Sequence, residues 1–204
     1  MVGLIEIQNN GSGAGSAVQD LVDGLNAVLG ANTYATVSDA GIQVGCDAIK
    51  VAFIYKPARV SLKGPAISDS NAVFSRPPVA QAFGFNGGTF TLVMNHFKSK
   101  GGCPTGGGAD SDLGDGQSCW NELRKSQATQ LKAFIETLKA RTSPVDTDIL
   151  TMGDFNAYLN EDPMTIFESG PNPLTNLIRS VPENKRYSYV FDGQSGNLDH
   201  GLAS

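Results

Sequence analysis

Histidine and cysteine are scarce in this chain, with two of the first and three of the second in 204 residues. They are too scattered to form a His/Cys cluster for zinc. Positive charge is also short. Fifteen Lys and Arg stand against twenty Asp and Glu, a net charge of −5, and no basic stripe runs through the sequence. Charge alone therefore gives no strong non-specific grip on nucleic acid. An acidic protein can still act on phosphates where a bound cation neutralises the site. No run of about 18 apolar residues occurs, so no membrane span is expected. Nothing resembles a signal peptide, because Met1 leads straight into VGLIEI, which reads as a core strand. There is no G-x-S-x-G nucleophile, and Gly106-Gly107-Gly108 has no GK[ST] behind it and is no P-loop. Internal repeats, linkers and a second domain are missing as well. A chain that is 40% hydrophobic suits one domain, 1–204, with a sizeable core.

What is present alternates strands and helices. VGLIEI should be a strand that delivers Glu6 near its end. Ser16-Ala-Val-Gln19 has the form of a capping box, and Val18, Leu21, Val22, Leu25 and Leu29 follow at helical spacing until Gly30. A strand is expected around Tyr34–Ser38 and another over Ile49–Tyr55. About thirty loop-like residues follow, with SRPPVA before a short strand. Gly87-Gly88 should turn a hairpin into TFTLVMNHF, a strand ending at His96. Trp120–Arg141 reads as a helix with Leu123, Leu131, Phe134, Ile135 and Leu138 on its apolar face and Ser143-Pro144 as its stop. Asp148–Met152 is a buried strand, Met164–Glu168 a short helix, and SYVFDGQSGNLDHGLAS a strand, a turn and a strand. Near-continuous hydrophobic strands mixed with helices indicate an α/β protein with covered sheets.

Polar groups gather where these strands stop: Glu6, Asn95-His96 with Lys98, Asp154 with Asn156 in GDFNA, and Asp199-His200. Ligand sites in α/β sheets lie at strand ends. Gly, Asp and Asn are also turn formers, so GDFNA reads either as a turn or as a site. In an extended segment Asp154 and Asn156 would face one cleft, one as base or metal ligand and one as donor. The set offers two carboxylates for a hard cation, with a His, a Lys and an amide. Mg²⁺ takes one or two carboxylates plus water and substrate phosphate.

Cys103 and Cys119 bracket the loop CPTGGGADSDLGDGQSC. Two readings stand, a pair of free thiols or a disulfide that ties the loop down, contributing about 3 kcal/mol and implying an oxidising compartment. Cys46 should be a buried small hydrophobe. Asp110, Asp112, Asp115, Gly116 and Glu122 approximate a calcium loop with one residue too many before Asp115. Structural Ca²⁺ and a solvated acidic loop both remain open. Asn10-Gly11-Ser12 has the form of a glycosylation sequon, although Asn and Gly also suit a tight turn there.

GDFNA, NHFKSKG and LDH, in this order and spacing, resemble the endonuclease/exonuclease/phosphatase superfamily, the deoxyribonuclease-I-like proteins. IEIQNNG, CDAIKVAFIYKP, GDGQSCWNELRKSQA, NAYLNEDP and YSYVFDGQSGNLDHGLAS are similar to the secreted bacterial extracellular nucleases within it. The likeness runs from Glu6 to Ser204. It implies a four-layer α/β sandwich, two packed mixed β-sheets flanked by helices. It also implies metal-assisted hydrolysis of a phosphodiester with Mg²⁺ or Mn²⁺. Glu6 matches the metal-binding glutamate, and Asp154 the aspartate that orients or deprotonates the attacking water. Asn156 matches the asparagine that holds phosphate and nucleophile, and His96 a residue on the scissile phosphate. Lys98 joins these as a phosphate-binding candidate. Asp199 matches the acid that orients a catalytic histidine.

That histidine belongs to a later Ser-Asp-His motif which this sequence lacks, and His200 does not match it. The family's first strand, with its early asparagine, is also missing before Met1. The sequence therefore reads as an incomplete copy of a secreted nuclease, one element short at each end. The implied product is a monomeric, extracellular or periplasmic nuclease whose partner is nucleic acid, DNA first. The alternatives are a phosphatase or phosphodiesterase acting on lipid or small phosphates, and an inactive fragment that only binds metal or partners.

Overall fold

The computed structural model describes residues 1–142 and 148–204. The expected helix stop at Ser143-Pro144 lies outside the described residues.

The chain opens with β1 (Val2–Gln8), α1 (Ala17–Leu29), β2 (Ala35–Thr36) and β3 (Ile49–Tyr55). Ser16 caps α1 by accepting from the Gln19 amide at 3.3 Å. Only half of the capping box forms, because the Gln19 side chain donates to Asp23 instead. Val18 and Val22 are buried, whereas Leu21 and Leu29 of the same stripe are exposed. The short β4 (Ser61–Leu62) and β5 (Ile67–Ser68) occupy the stretch expected to be loop. β6 (Val79–Phe85) then pairs with β7 (Gly88–His96). The turn between them is Asn86-Gly87, one residue earlier than the sequence suggests. Both residues have positive φ, 48° and 85°, the pairing a two-residue hairpin favours.

After β7 come α2 (Asn121–Thr142), β8 (Ile149–Asp154), α3 (Asp162–Glu168), β9 (Thr175–Asn176), β10 (Tyr189–Phe191), β11 (Gln194–Gly196) and β12 (Asp199–Ala203). β10 and β11 form a separate hairpin whose Tyr189, Val190 and Phe191 are exposed.

A seven-stranded sheet runs β4-β6-β7-β8-β12-β9, with β5 also on β6. β7 and β8 are parallel, joined across α2, while the other pairs are antiparallel. The three-stranded sheet β1-β3-β2 is wholly antiparallel, so only the larger sheet is mixed. Val51 and Phe53 of β3 meet Phe83, Leu92 and Met94 of the large sheet, which closes the two sheets face to face. α1 covers the outer side of the small sheet through Val18 and Val22 against Ala52 and Ile54. α2 and α3 cover the outer side of the large one, where Leu131, Ile135, Met164 and Phe167 pack on Val93, Phe97, Phe155 and Leu202. The layers are helix, sheet, sheet, helix, as the resemblance implies. No helix among the described residues is long and apolar enough to cross a membrane.

Cys103 and Cys119 form a disulfide. Cys46, expected to be buried, is exposed on the loop before β3, because the strand's apolar run starts only at Ile49. Arg124, fully buried at the start of α2, donates to the carbonyls of Cys119 (2.7 Å) and Gln117 (2.9 Å) and fastens the cross-linked loop from beneath. The Cys103→Ser/Cys119→Ser double variant should unfold in urea with about 3 kcal/mol less stability. A loss below about 0.5 kcal/mol would show that Arg124 and its neighbours hold the loop unaided.

Candidate active site

The site is built where parallel β7 and β8 end together and β12 begins. His96 is in register with Asp154, and Asp154 with Asp199. Residues directly opposite on adjacent strands project from the same face. The three side chains therefore form one row across the sheet. The facing row, Asn95, Gly153 and His200, points to the other side.

Gly153 is forced by this junction. Its φ is 141°, and a Cβ there would overlap the Asn95 carbonyl. Only glycine lets the strands approach so closely. β8 stops at Asp154, and the Asn156 amide donates to the Asp154 carboxylate at 2.7 Å in a tight Asx turn. Asn156 has φ 48°, so the pair is not in extended backbone. The turn reading of GDFNA holds, and the turn sets Asp154 and Asn156 side by side. One Asn156 side-chain N–H donates to the Phe97 carbonyl at 3.1 Å, which leaves its second N–H free of that bond.

Glu6 reaches the row from the other sheet. The β1–β3 register shifts between Leu4 and Ile7, and Glu6 has φ 57° within that bulge. Bulges re-aim side chains beside active sites, and a non-glycine residue held at positive φ stores strain. Glu6 is close enough to act electrostatically on Asp154.

Burial, with Asp199 and Glu6 nearby, pushes the Asp154 carboxyl up to about 6, against the opposing effects of the Asn156 amide and Arg76. Burial and the Arg76 charge push the His96 imidazole down to about 4. His96 Nε2 lies 3.7 Å from Asp154 Oδ2. At neutral pH the ring is uncharged, so this contact is no salt bridge. His96 Nδ1 is buried without a hydrogen-bond partner.

The remaining candidates have contacts of their own. Lys98 Nζ lies 4.8 Å from the centre of the Trp120 ring and donates to Ser99 and Gly101 of its own loop. Asp110 caps α2 by accepting from the Leu123 amide, while Asp112 and Asp115 accept from Gly114 and Gln117 in local turns. These three carboxylates do not converge as a calcium loop would. Among the described residues no three His, Cys, Asp or Glu side chains come together as a metal cage. His200 is buried. Its Nε2 donates to the Ala157 carbonyl, and its Nδ1 accepts from the amides of Asn176 and Asn197. It is a structural, neutral histidine.

Sequence reasoning missed Arg76, which donates to the carbonyls of His96 and Phe97 and pairs with Asp47. Its one signal was an arginine ahead of two prolines in an acidic chain.

The donor set still fits a hard divalent cation. Glu6 and Asp199 both act electrostatically on Asp154, and Mg²⁺ needs only one or two protein carboxylates.

The layered sheets have the deoxyribonuclease-I-like fold. Solved structures with the same fold include the human Nocturnin catalytic domain with bound sulfate, at 17% identity and TM-score 0.59 over 92% of this chain and 64% of that one. D. rerio TDP2, complexed with a single-strand DNA product, is 16% identical with TM-score 0.60 over 99% and 69%. An endonuclease/exonuclease/phosphatase from Bacteroides vulgatus is 14% identical with TM-score 0.59 over 100% and 72%. At these identities the fold is what is shared, and the chain spans only 64% of the length of the Nocturnin domain. No family model matches the sequence, and no curated protein matches it.

Asp154 has a consequence for stability. A carboxyl with a raised folded pKa contributes stability below its unfolded pKa, near 3.8, and loses it as pH rises through about 6. In chelator, Asp154→Asn should therefore be more stable than the parent at pH 7.5, by roughly 3 kcal/mol, with the gain vanishing near pH 4. Thermal unfolding at the two pH values decides it. Equal midpoints at pH 7.5 would show an ordinary carboxyl.

Proposed function

We propose that this chain is a divalent-metal-dependent phosphodiester hydrolase, a secreted nuclease that cleaves DNA. The observation that carries the reading is the convergence of His96, Asp154 and Asp199 in one row, with Glu6 brought over it by a strained bulge. The single-strand DNA product on TDP2, a protein of the same fold, supports nucleic acid as the substrate. The disulfide supports an oxidising compartment.

Glu6, with the negative charge of its neighbours, would hold Mg²⁺ or Mn²⁺, which would neutralise phosphate charge and make water easier to deprotonate. Asp154 takes the proton from the attacking water. A carboxyl poised near 6 is well matched to that task at neutral pH. The water oxygen bonds to phosphorus in line with the leaving oxygen, whose bond breaks, and solvent supplies the proton the leaving oxygen needs. Neutral His96 and the remaining Asn156 N–H donate to the phosphoryl oxygens as charge develops. Asp199 adds negative charge that keeps Asp154 basic.

Plasmid nicking in Mg²⁺ or Mn²⁺ tests this. Cleavage should occur and should fall by about 10²–10⁴-fold in Asp154→Ala. Turnover of a lipid or sugar phosphate with an intact plasmid would move the chain to the phosphatase reading. Metal binding without turnover of any phosphodiester would make it a binding domain and end the hydrolase reading.

A further inference from the structure

We propose that Arg76 and Asp47 form a positioning pair that sets the backbone on which His96 and Asn156 are aimed. This rests on the hydrolase reading above and adds two residues that do not belong to the proposed catalytic set.

Arg76 lies in the loop between β5 and β6, and its side chain is only 10% exposed. The guanidinium is committed in three directions. Nε donates to the His96 carbonyl at 3.3 Å, Nη2 to the Phe97 carbonyl at 2.6 Å, and Nη1 to Asp47 Oδ2 at 2.8 Å. The Phe97 carbonyl also accepts from Asn156 Nδ2 at 3.1 Å. One backbone oxygen is therefore the meeting point of the arginine and the phosphate-handling amide. The Phe97 N–H donates to the Asp154 carbonyl at 2.9 Å. A shift of that peptide would move His96, Asp154 and Asn156 together.

Asp47 anchors the far end. Its backbone carbonyl accepts from Asn9 Nδ2 at 2.9 Å, and Asn9 also donates through its main chain to Ala48 at 2.9 Å. Asn9 directly follows β1, the strand that carries Glu6. The chain Asn9, Asp47, Arg76, Phe97, Asn156 thus crosses from the small sheet to the large one at the site. Gly45 fixes the approach of the two loops, because a Cβ there would overlap the Ser75 carbonyl.

The geometry assigns positioning rather than substrate contact. A guanidinium offers five N–H groups in a rigid fork. Here each of its three nitrogens is tied to a protein acceptor, and Asp47 balances its charge. A lysine could supply the charge but could not satisfy two carbonyls and a carboxylate in fixed directions.

Asp47 lines an open cleft of about 590 Å³ together with Gln43, Ser70, Asn71 and Ser75. The Asp47 carboxylate that Arg76→Ala would leave unpaired is therefore open to a small cation, and chemical rescue becomes the test. With Mg²⁺ and a phosphodiester oligonucleotide, Arg76→Ala should lose about 100-fold in kcat with KM changed less than about threefold. Added guanidinium should restore at least about tenfold of that loss, whereas ammonium at equal concentration should not, and the parent protein should not be stimulated. A loss confined to KM would make Arg76 a substrate contact and overturn the proposal. So would a kcat within about twofold of the parent.

If Arg76→Ala does not fold, Asp47→Asn carries the test. It keeps an acceptor but removes the charge, and kcat should fall by about tenfold. One readout is independent of turnover. The chain has only two histidines, so proton–nitrogen spectra of the imidazoles resolve both. His96 resonances should move in either variant while those of His200, held by Asn176, Asn197 and Ala157, stay put. If the parent protein turns over no phosphodiester, the hydrolase reading fails on its own, and an unmoved His96 signal would separately overturn the positioning role.

Discussion

The structure depends on how closely two parallel strands are allowed to run at their ends. Gly153 has no side chain, so β8 can press its backbone against Asn95 of β7. The Phe97 N–H then reaches the Asp154 carbonyl just beyond the last strand pair. This brings a buried imidazole beside a half-buried carboxylate without any ion pair to hold them. What holds them is backbone, fixed by α2 and α3 against the outer face of the sheet. Because the scaffold bears the desolvation of Asp154, its carboxyl is held above the usual carboxylate range.

The same logic explains the far side of the sheet. Facing rows must differ in kind, since one lies on the helix side of the sheet while the other forms the site on the side that faces the small sheet. His200 sits one residue from Asp199 in sequence and has the opposite fate, enclosed by two amides and a carbonyl. The period of two in a strand separates a structural histidine from a site carboxylate.

Much of this was legible beforehand. His96 and Asp154 could be located because strands ending in polar groups are visible as a break in hydrophobic runs, whereas Glu6 lies in a bulge inside β1 and Asp199 opens β12. The helices followed from spacing, and the Cys103–Cys119 disulfide from a glycine-rich loop that needed fastening. What could not be read were features set by neighbours distant in sequence. Cys46 lies just before a strand's apolar run and is exposed. Leu21 and Leu29 are on the helical stripe yet take no part in the cluster α1 forms with the small sheet. Asp110 serves as a helix cap because α2 starts close by in space. Arg76 is 20 residues from His96 and carries no motif, so only the folded carbonyls reveal its partners.

The parallel pairing of β7 and β8 has a kinetic consequence. Asn95 and Met152, bonded in that pairing, are 57 residues apart, and Asn156 and Phe97 are 59 apart. Contacts of such high order require the loop between them to be closed before they return any energy. Local hairpins such as β6–β7 can form without waiting for α2 to dock, whereas the His96–Asp154 row cannot. The row thus comes together only in a chain that has already built most of its architecture.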